Sequence, residues 1–438
     1  MNSYPSYKDS GVEWIGEIPS SWSVKRNKYI TTPKKDKSED GSEELLSVSE
    51  YLGVVPRSVI REGEDHLTRS ESLEGYLKVS KGDLVNNIML MWKKGLGVSK
   101  YDGIVSPSYS VFSFNKSIPT YHHYLFRTDL YITEFRKNST GIIQSRLRLY
   151  DDDFGFIYSY LPPIDEQKQI VSFLDTKTKK IDTLIEKTEQ KIKLLKEKRT
   201  SLINHCVTKG LNPNVEMKDS GVEWIGEIPK DWNIIPLKFV GDFQNGIGKG
   251  SEFFGSGFPF MNYGDVYNNE ITPISVDGKV QSDEIERERY SVLRGDVFFT
   301  RTSESKDDIG VSSVCLKTLD ESVFSGFVIR FRFFDNSHIP EYSRYHFQTH
   351  WKKVFIESKM NIVTRSSLSQ QVLGQLPVLI PSNEQQKQII EYLDEQTQKI
   401  DSTIEKETQR MDLLKEYRQS LISDVVTGKV DVRDEVLI

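Results

Sequence analysis

A chain of 438 residues, with 37% hydrophobic and 11% aromatic content, is too long for one ordinary core, and two or three domains are expected. Its formal net charge of −6 argues against a polycation wrapped nonspecifically on DNA, although a local basic face would still suffice for DNA binding. Two distant cysteines, Cys206 and Cys315, argue against a disulfide framework or zinc cluster, no apolar run nears the ~18 residues of a membrane span, and the opening MNSYPSYKDS is no basic-then-apolar leader, so a cytoplasmic protein without a membrane partner is expected.

The segment KDSGVEWIGEIP stands at 8–19 and returns letter for letter at 218–229. After the first copy comes a variable block, roughly 20–160. It holds strand-like YSVFSF (109–114) and a helical stretch YHHYLFRTDLYITEFRK (121–137), which together predict a mixed α and β domain. From Asp165 to Lys209 there is neither proline nor glycine, and apolar residues recur on a seven-residue beat. Leu174, Ile181, Ile185, Ile192, Leu195 and Leu202 form the two rows of a coiled-coil seam. About 45 residues at 1.5 Å each predict a rod of roughly 65–70 Å.

The second copy of the tag opens a second variable block, roughly 230–379. Gly82-Asp83 returns as Gly295-Asp296, and Gly97-Val98-Ser99 as Gly310-Val311-Ser312, both at an offset of 213. Arg146, Leu149 and Gly155 return as Arg365, Leu368 and Gly374 at an offset of 219. A shared offset across separated landmarks predicts two copies of one fold with diverged surfaces. The block 380–429 then repeats 161–210 without a gap, placing Leu393, Ile400, Ile404, Met411, Leu414 and Leu421 on its seam.

The expected organisation is therefore α+β: a mixed α and β domain at 1–160, a long helix at 161–210, a second such domain at 211–379, a second long helix at 380–429, and a tail at 430–438 packed near the N-terminus. Residues 165–209 carry 11 basic against 7 acidic side chains, and 384–428 carry 6 against 10. Opposite signs favour pairing of the two helices with each other. The short linker 210–217 makes that pairing antiparallel and the object pseudo-twofold. The tag is expected to seat each globule on the rod through buried Trp14/Trp224 and Ile15/Ile225.

No catalytic constellation emerges. The only Pro-Pro, in LPPID, lacks the neighbours of an adenine-methylating loop. NGIGKG (245–250) lacks phosphate-loop spacing and reads as a mobile loop. His346 and His350 in HFQTH lack a third ligand. The Asp run 151–153 reads as a turn, and Cys206 as a small core residue.

The paired GVEWIGEIP segments closed by Trp22 and Trp232, the Gly-Asp motifs, and the junctions P162-P-I-D-E166-Q167 and P381-S-N-E384-Q385-Q386 before the long helices resemble the specificity subunits of Type I restriction–modification enzymes over nearly the whole chain. The resemblance implies a non-catalytic subunit without a cofactor of its own. It implies two target recognition domains, each reading half of a split site on double-stranded DNA. It also implies a helical ruler, two docked modification (adenine methyltransferase) subunits, and motor-nuclease restriction subunits in the full complex. A stand-alone nuclease or methyltransferase and a purely structural adaptor are the rival readings.

Neither variable block is strongly basic: 20–160 carries 20 basic against 18 acidic residues, and 230–379 carries 17 against 19. Specificity should then come from a few base contacts. QSRLR (144–148) and TRSSLSQQ (364–371) supply Gln144, Arg146, Arg148, Arg365, Ser367, Gln370 and Gln371. The stretches after the Gly-Asp strands supply Lys93, Lys94, Arg301, Thr302 and Ser303. These types suit base edges and phosphates. Arg146 and Arg365, shared by both blocks, also suit a structural role.

Overall fold

The computed structural model describes residues 2–50, 52–60, 72–141, 147–303, 308–359 and 366–435. The chain forms two compact units, Met1–Glu189 with Gln409–Ile438, and Gln190–Thr408. These boundaries differ from a serial domain–helix–domain–helix division. Each unit takes part of both long helices, because each globular part buries its apolar face against them.

The first unit is built on an antiparallel sheet in the order Thr31–Lys34, Tyr109–Phe114, Leu84–Asn87, Leu96–Val98. The second repeats that order with Gly241–Asn245, Val328–Phe333, Val297–Thr300, Ser312–Val314. The repeated Gly-Asp motif enters the equivalent strand of each sheet. Gly82 and Gly295 sit at φ +91° and +95°, a region that L side chains rarely adopt. The Asp83 carboxylate accepts from Ser80 N and from Lys34 Nζ, each at 2.7 Å. Asp296 accepts from Leu293 N at 2.7 Å and from Arg332 at 2.5 and 2.7 Å. The motif is a braced turn. Divergence lies in the additions: hairpin Leu46–Ser49/Gly53–Pro56 in the first unit, and Phe254–Met261 with Lys279–Val280 and Val323–Phe324 in the second.

In both units the strand that leads into the long helix returns to the strand that follows the tag. Tyr158–Leu161 pairs with Ser23–Arg26, and Pro377–Ile380 with Asn233–Pro236. Each return delivers the chain into a long helix, Ile164–Lys209 or Asn383–Val426. A buried glutamine fixes each entry. Gln167 donates to Pro162 O at 2.9 Å and accepts from Ile118 N at 2.9 Å. Gln386 donates to Pro381 O at 3.0 Å and accepts from Ile339 N at 2.8 Å. The second junction is thus in register with the first, at the same offset of 219.

The helices pair antiparallel within each unit. In the first, Asp182 meets Arg418 at 2.7 Å and Glu189 meets Lys415 at 3.9 Å. In the second, Lys191 meets Glu407 at 2.6 Å and Arg199 meets Asp401 at 3.0 Å. Arg199 and Arg418 are repeat-equivalent, as are Asp182 and Asp401, so one ion pair is written twice. Seam positions Leu174, Ile181 and Leu421 are buried in the first unit, and Leu393 and Ile400 in the second. Ile185, Met411 and Leu414 in the first unit are only half-buried, as are Ile192, Leu195, Leu202 and Ile404 in the second. Two helices enclose a seam incompletely, and full burial occurs where the globular part adds a third wall.

The tag's seat corrects one expectation. Ile15 and Ile225 are buried, but Trp14 is half-exposed against Tyr131, and Trp224 is 39% exposed beside Phe355. The tryptophan that meets the helix is Trp22, whose Nε1 donates to Glu166 Oε1 at 2.9 Å. Tyr4 OH donates to the same oxygen at 2.6 Å. The tag hairpins Tyr7–Asp9/Glu17–Pro19 and Met217–Asp219/Glu227–Pro229 carry the tryptophans there. In the first unit the tail joins this seat, with Asn2 bridged to Asp431 and Arg433 over the Tyr4 ring at 5.0 Å.

Candidate nucleic-acid interface

Gln144, Arg146 and Arg365 lie outside the described residues. Among the others, the structure joins stretches far apart in sequence. In the second unit, Thr302–Ser303 pairs with Ser366–Ser367, with Thr302 opposite Ser367. Arg301 O accepts from Leu368 N at 2.7 Å, and Arg301 N donates to Phe327 O at 3.0 Å. Ser369 caps the short helix Gln370–Leu373 by accepting from Val372 N at 3.1 Å, which stands half-buried Gln370 and exposed Gln371 beside this ladder. Arg301, Thr302, Ser303, Ser367, Gln370 and Gln371 therefore converge on one edge.

The first unit makes the same junction. Leu149 N donates to Ile88 O at 3.0 Å, the repeat-equivalent of the Leu368–Arg301 bond. Arg148 is exposed and its backbone exchanges two hydrogen bonds with Thr140, both at 2.9 Å. The register differs from the expected one, because Ile88, not Lys93 or Lys94, occupies the place of Arg301. Lys94 adopts a left-handed φ of 63° and its Nζ pairs with Asp129 at 2.8 Å. Lys93 is exposed, with its Nζ 4.9 Å from the Trp92 ring centre. Beneath Lys94, Arg127 donates to the carbonyls of Lys94 at 2.9 Å and Leu96 at 2.6 Å, and burial pushes its guanidinium down to about 10.

Side chains that the residue-type argument missed stand at the same edges. Phe327 is 60% exposed next to Arg301, and Met89 and Leu90 are exposed where the first unit has the matching turn. An aromatic face beside an arginine suits stacking and T-methyl contact. The only sequence signal was an apolar residue in a Gly-Phe turn, which reads as core.

The loop NGIGKG, expected to be mobile, is pinned: Ile247 is buried and donates to Phe324 O at 2.8 Å, and Lys249 pairs with Glu286 at 2.6 Å. His346 is buried while His350 is exposed, and among the described residues no group of His, Cys, Asp and Glu is arranged to hold a metal. No described helix is long and apolar enough to cross a membrane.

A repeated sheet, a repeated helix pair and a repeated edge with different side chains define a tandem-repeat protein. The family described as Type I restriction modification DNA specificity domain matches residues 229–412. The specificity subunit of type I restriction enzyme MjaVIII from Methanocaldococcus jannaschii is 24% identical over 435 residues, covering 95% of each chain. In fold, the chain resembles one from a structure of complex assembly and conformational transition in the type I R–M system, with TM-score 0.72 and 16% identity over 94% of this chain and 99% of that one. It also resembles the HsdS subunit of Thermoanaerobacter tengcongensis, with TM-score 0.52 and 16% identity over 94% of this chain and 98% of that one. In sequence the chain is thus similar to specificity subunits of type I restriction enzymes, and in fold to chains solved from such systems.

Proposed function

We propose that each globular part reads one half of a split, asymmetric site on double-stranded DNA, and that the paired helices fix the gap between the halves. The observation that carries this is the junction made twice by the same backbone bond, Leu149–Ile88 and Leu368–Arg301, with unlike side chains around it. A shared scaffold with different edge chemistry suits two different half-sites. The readout residues are Arg148, Lys93 and the turn at Met89 in the first unit. In the second they are Arg301, Thr302, Ser303, Ser367, Gln370, Gln371 and Phe327. Gln144, Arg146 and Arg365 belong to the same stretches, whereas Lys94, tied to Asp129, serves phosphate contact or the fold more than base readout. Each well-made base contact is worth about 1–3 kcal/mol of discrimination. In cells carrying Arg301→Ala, sequencing of modified bases should then show one half of the motif relaxed at a single position and the other half intact. A motif unchanged at both halves counts against the assignment.

The same helices dock two modification (methyltransferase) subunits, with motor-nuclease restriction subunits joining in the full complex. Leu194 and Leu413 are repeat-equivalent, point away from the seam, and are 63% and 65% exposed. A large apolar side chain held in water at two equivalent places suits one partner bound twice. Native mass spectrometry should find one modification subunit on Leu194→Glu or Leu413→Glu and none on the double variant. Two subunits on the double variant would remove the helices from the docking surface.

A further inference from the structure

In the second unit a cavity of about 410 Å³ opens beside the helix His350–Lys359. Lys352 in its wall is 8% exposed. Its Nζ donates to Ser312 Oγ at 2.9 Å, and that hydroxyl donates onward to Phe347 O at 2.8 Å. No carboxylate among the described residues forms an ion pair with it. Gln348 also lines the cavity, with both its carboxamide atoms buried and without a partner. Buried ammonium and amide groups are normally satisfied, so two under-satisfied groups on one cavity are unusual.

The first unit supplies an internal control. Thr128 and Thr349 each donate to the carbonyl three residues back, at 2.8 and 2.9 Å, which fixes the register between the repeats. In that register Gln348 replaces Arg127, and Lys352 replaces Tyr131. Arg127 is satisfied by the carbonyls of Lys94 and Leu96, and Tyr131 OH donates to Tyr158 O at 3.1 Å. The second unit has kept the backbone and left the Gln348 carboxamide without a partner and Lys352 Nζ with the Ser312 hydroxyl.

The chemistry of the open groups narrows the occupant. Arg199 in the wall is already neutralised by Glu270 and Asp401, each at 3.0 Å, and Lys353 pairs with Glu357 at 3.8 Å. His350 is exposed, and neighbouring His346 is held neutral by burial. Lys352 is the one cation of the wall without an acidic partner among the described residues, so an anion is the occupant that would pair with it. The Gln348 carboxamide offers a donor and an acceptor side by side. Carboxylate and sulfate only accept; a hydrogen phosphate accepts and also donates through P–OH.

We infer that this cavity binds inorganic hydrogen phosphate, which keeps a P–OH near pH 8, with Lys352 supplying the charge and Gln348 a paired hydrogen bond. In the empty cavity burial pushes the lysine down to about 7, so an arriving anion raises it and binding near pH 8 takes up a proton. The inference stands apart from the DNA reading, since a backbone phosphodiester has no P–OH to offer.

Calorimetry on the full chain tests it, with inorganic phosphate, adenosine monophosphate and sulfate titrated separately at pH 8 in two buffers of different ionisation heat. Saturable binding of inorganic phosphate is expected, with proton uptake, and with sulfate and adenosine monophosphate, neither of which carries a P–OH at pH 8, at least tenfold weaker. Lys352→Met should abolish it and Gln348→Leu should weaken it about tenfold. Gln348→Leu carries the test alone if Lys352→Met does not fold. Adenosine monophosphate or sulfate binding as tightly as inorganic phosphate overturns the inference. No binding to wild type, or binding unaltered in a folded variant, overturns the inference. If instead random-sequence duplex DNA bound the wild type and lost affinity in Lys352→Met without phosphate binding, the P–OH argument would be wrong.

Discussion

His122, His338 and His346 are buried with their rings among aromatic side chains, and burial pushes each imidazole below its ordinary range, the first two down to about 3. His122 and His338 stack on Phe114 and Phe333 at equivalent places in the two sheets. The sign of the linkage follows. The folded state keeps these rings neutral, while the unfolded chain takes up a proton on each as pH drops through about 6.5. Their contribution is fully present above that value and is lost as pH falls from about 6.5 towards 3. Each neutral histidine steepens the loss by about 1.4 kcal/mol per pH unit within that window. Chemical denaturation at pH 7.5 and 5.5 should therefore give a clearly lower stability at 5.5. His338→Phe should flatten the difference, and equal stabilities at the two pH values would contradict the account. None of this was legible in the sequence. A histidine next to Tyr or Phe reads the same on a surface as in a core, and HFQTH invited a metal reading that burial of His346 alone removes. The Gly-Asp pair, by contrast, was legible as a matched landmark, although its use as a braced turn required the φ values and the carboxylate bonds.

At the scale of elements, the long helices were readable because their signal is redundant. Absence of breakers over 45 positions, a seven-residue beat and complementary charge all agree, and the ion pairs Asp182–Arg418 and Arg199–Asp401 bear out the antiparallel pairing. What the pattern could not give was the uneven burial of the seam, since heptad position does not say where a third wall arrives. The tag was misread for a related reason. Trp14 and Trp22 are both tryptophans near a turn, and only the approach of Glu166 singles out Trp22. If the helices act as a ruler, their length is the gap. Inserting one matched heptad into both, at the half-buried stretch between Ile185 and Ile192 and its partner between Met411 and Ile404, adds about 10.5 Å. That is on the order of three base pairs of axial rise. Sequencing of the modified motif should show both half-sites kept and the gap longer by about three positions. A gap that does not change would mean that something other than these helices sets it.

At the scale of the whole molecule, the chain writes one domain plan twice and varies it where function needs variation. The doubled text was visible at once: the tag, the landmarks at a constant offset, the gapless helical repeat. The edge proposed for readout was half-visible. Arg301, Ser367 and Gln371 were nominated by residue type, but their convergence depends on a two-residue ladder between positions more than sixty apart, which no periodicity reports. Phe327 was missed because an exposed aromatic and a core aromatic look alike in a sequence. The central claim is that two independent readers share one scaffold. It is tested most directly by exchanging residues 230–379 for the corresponding block of a relative with a different target and sequencing the modified bases in host DNA. One half of the motif should change to the donor's half while the other half and the gap stay as they were. A motif altered in both halves, or in neither, would contradict it.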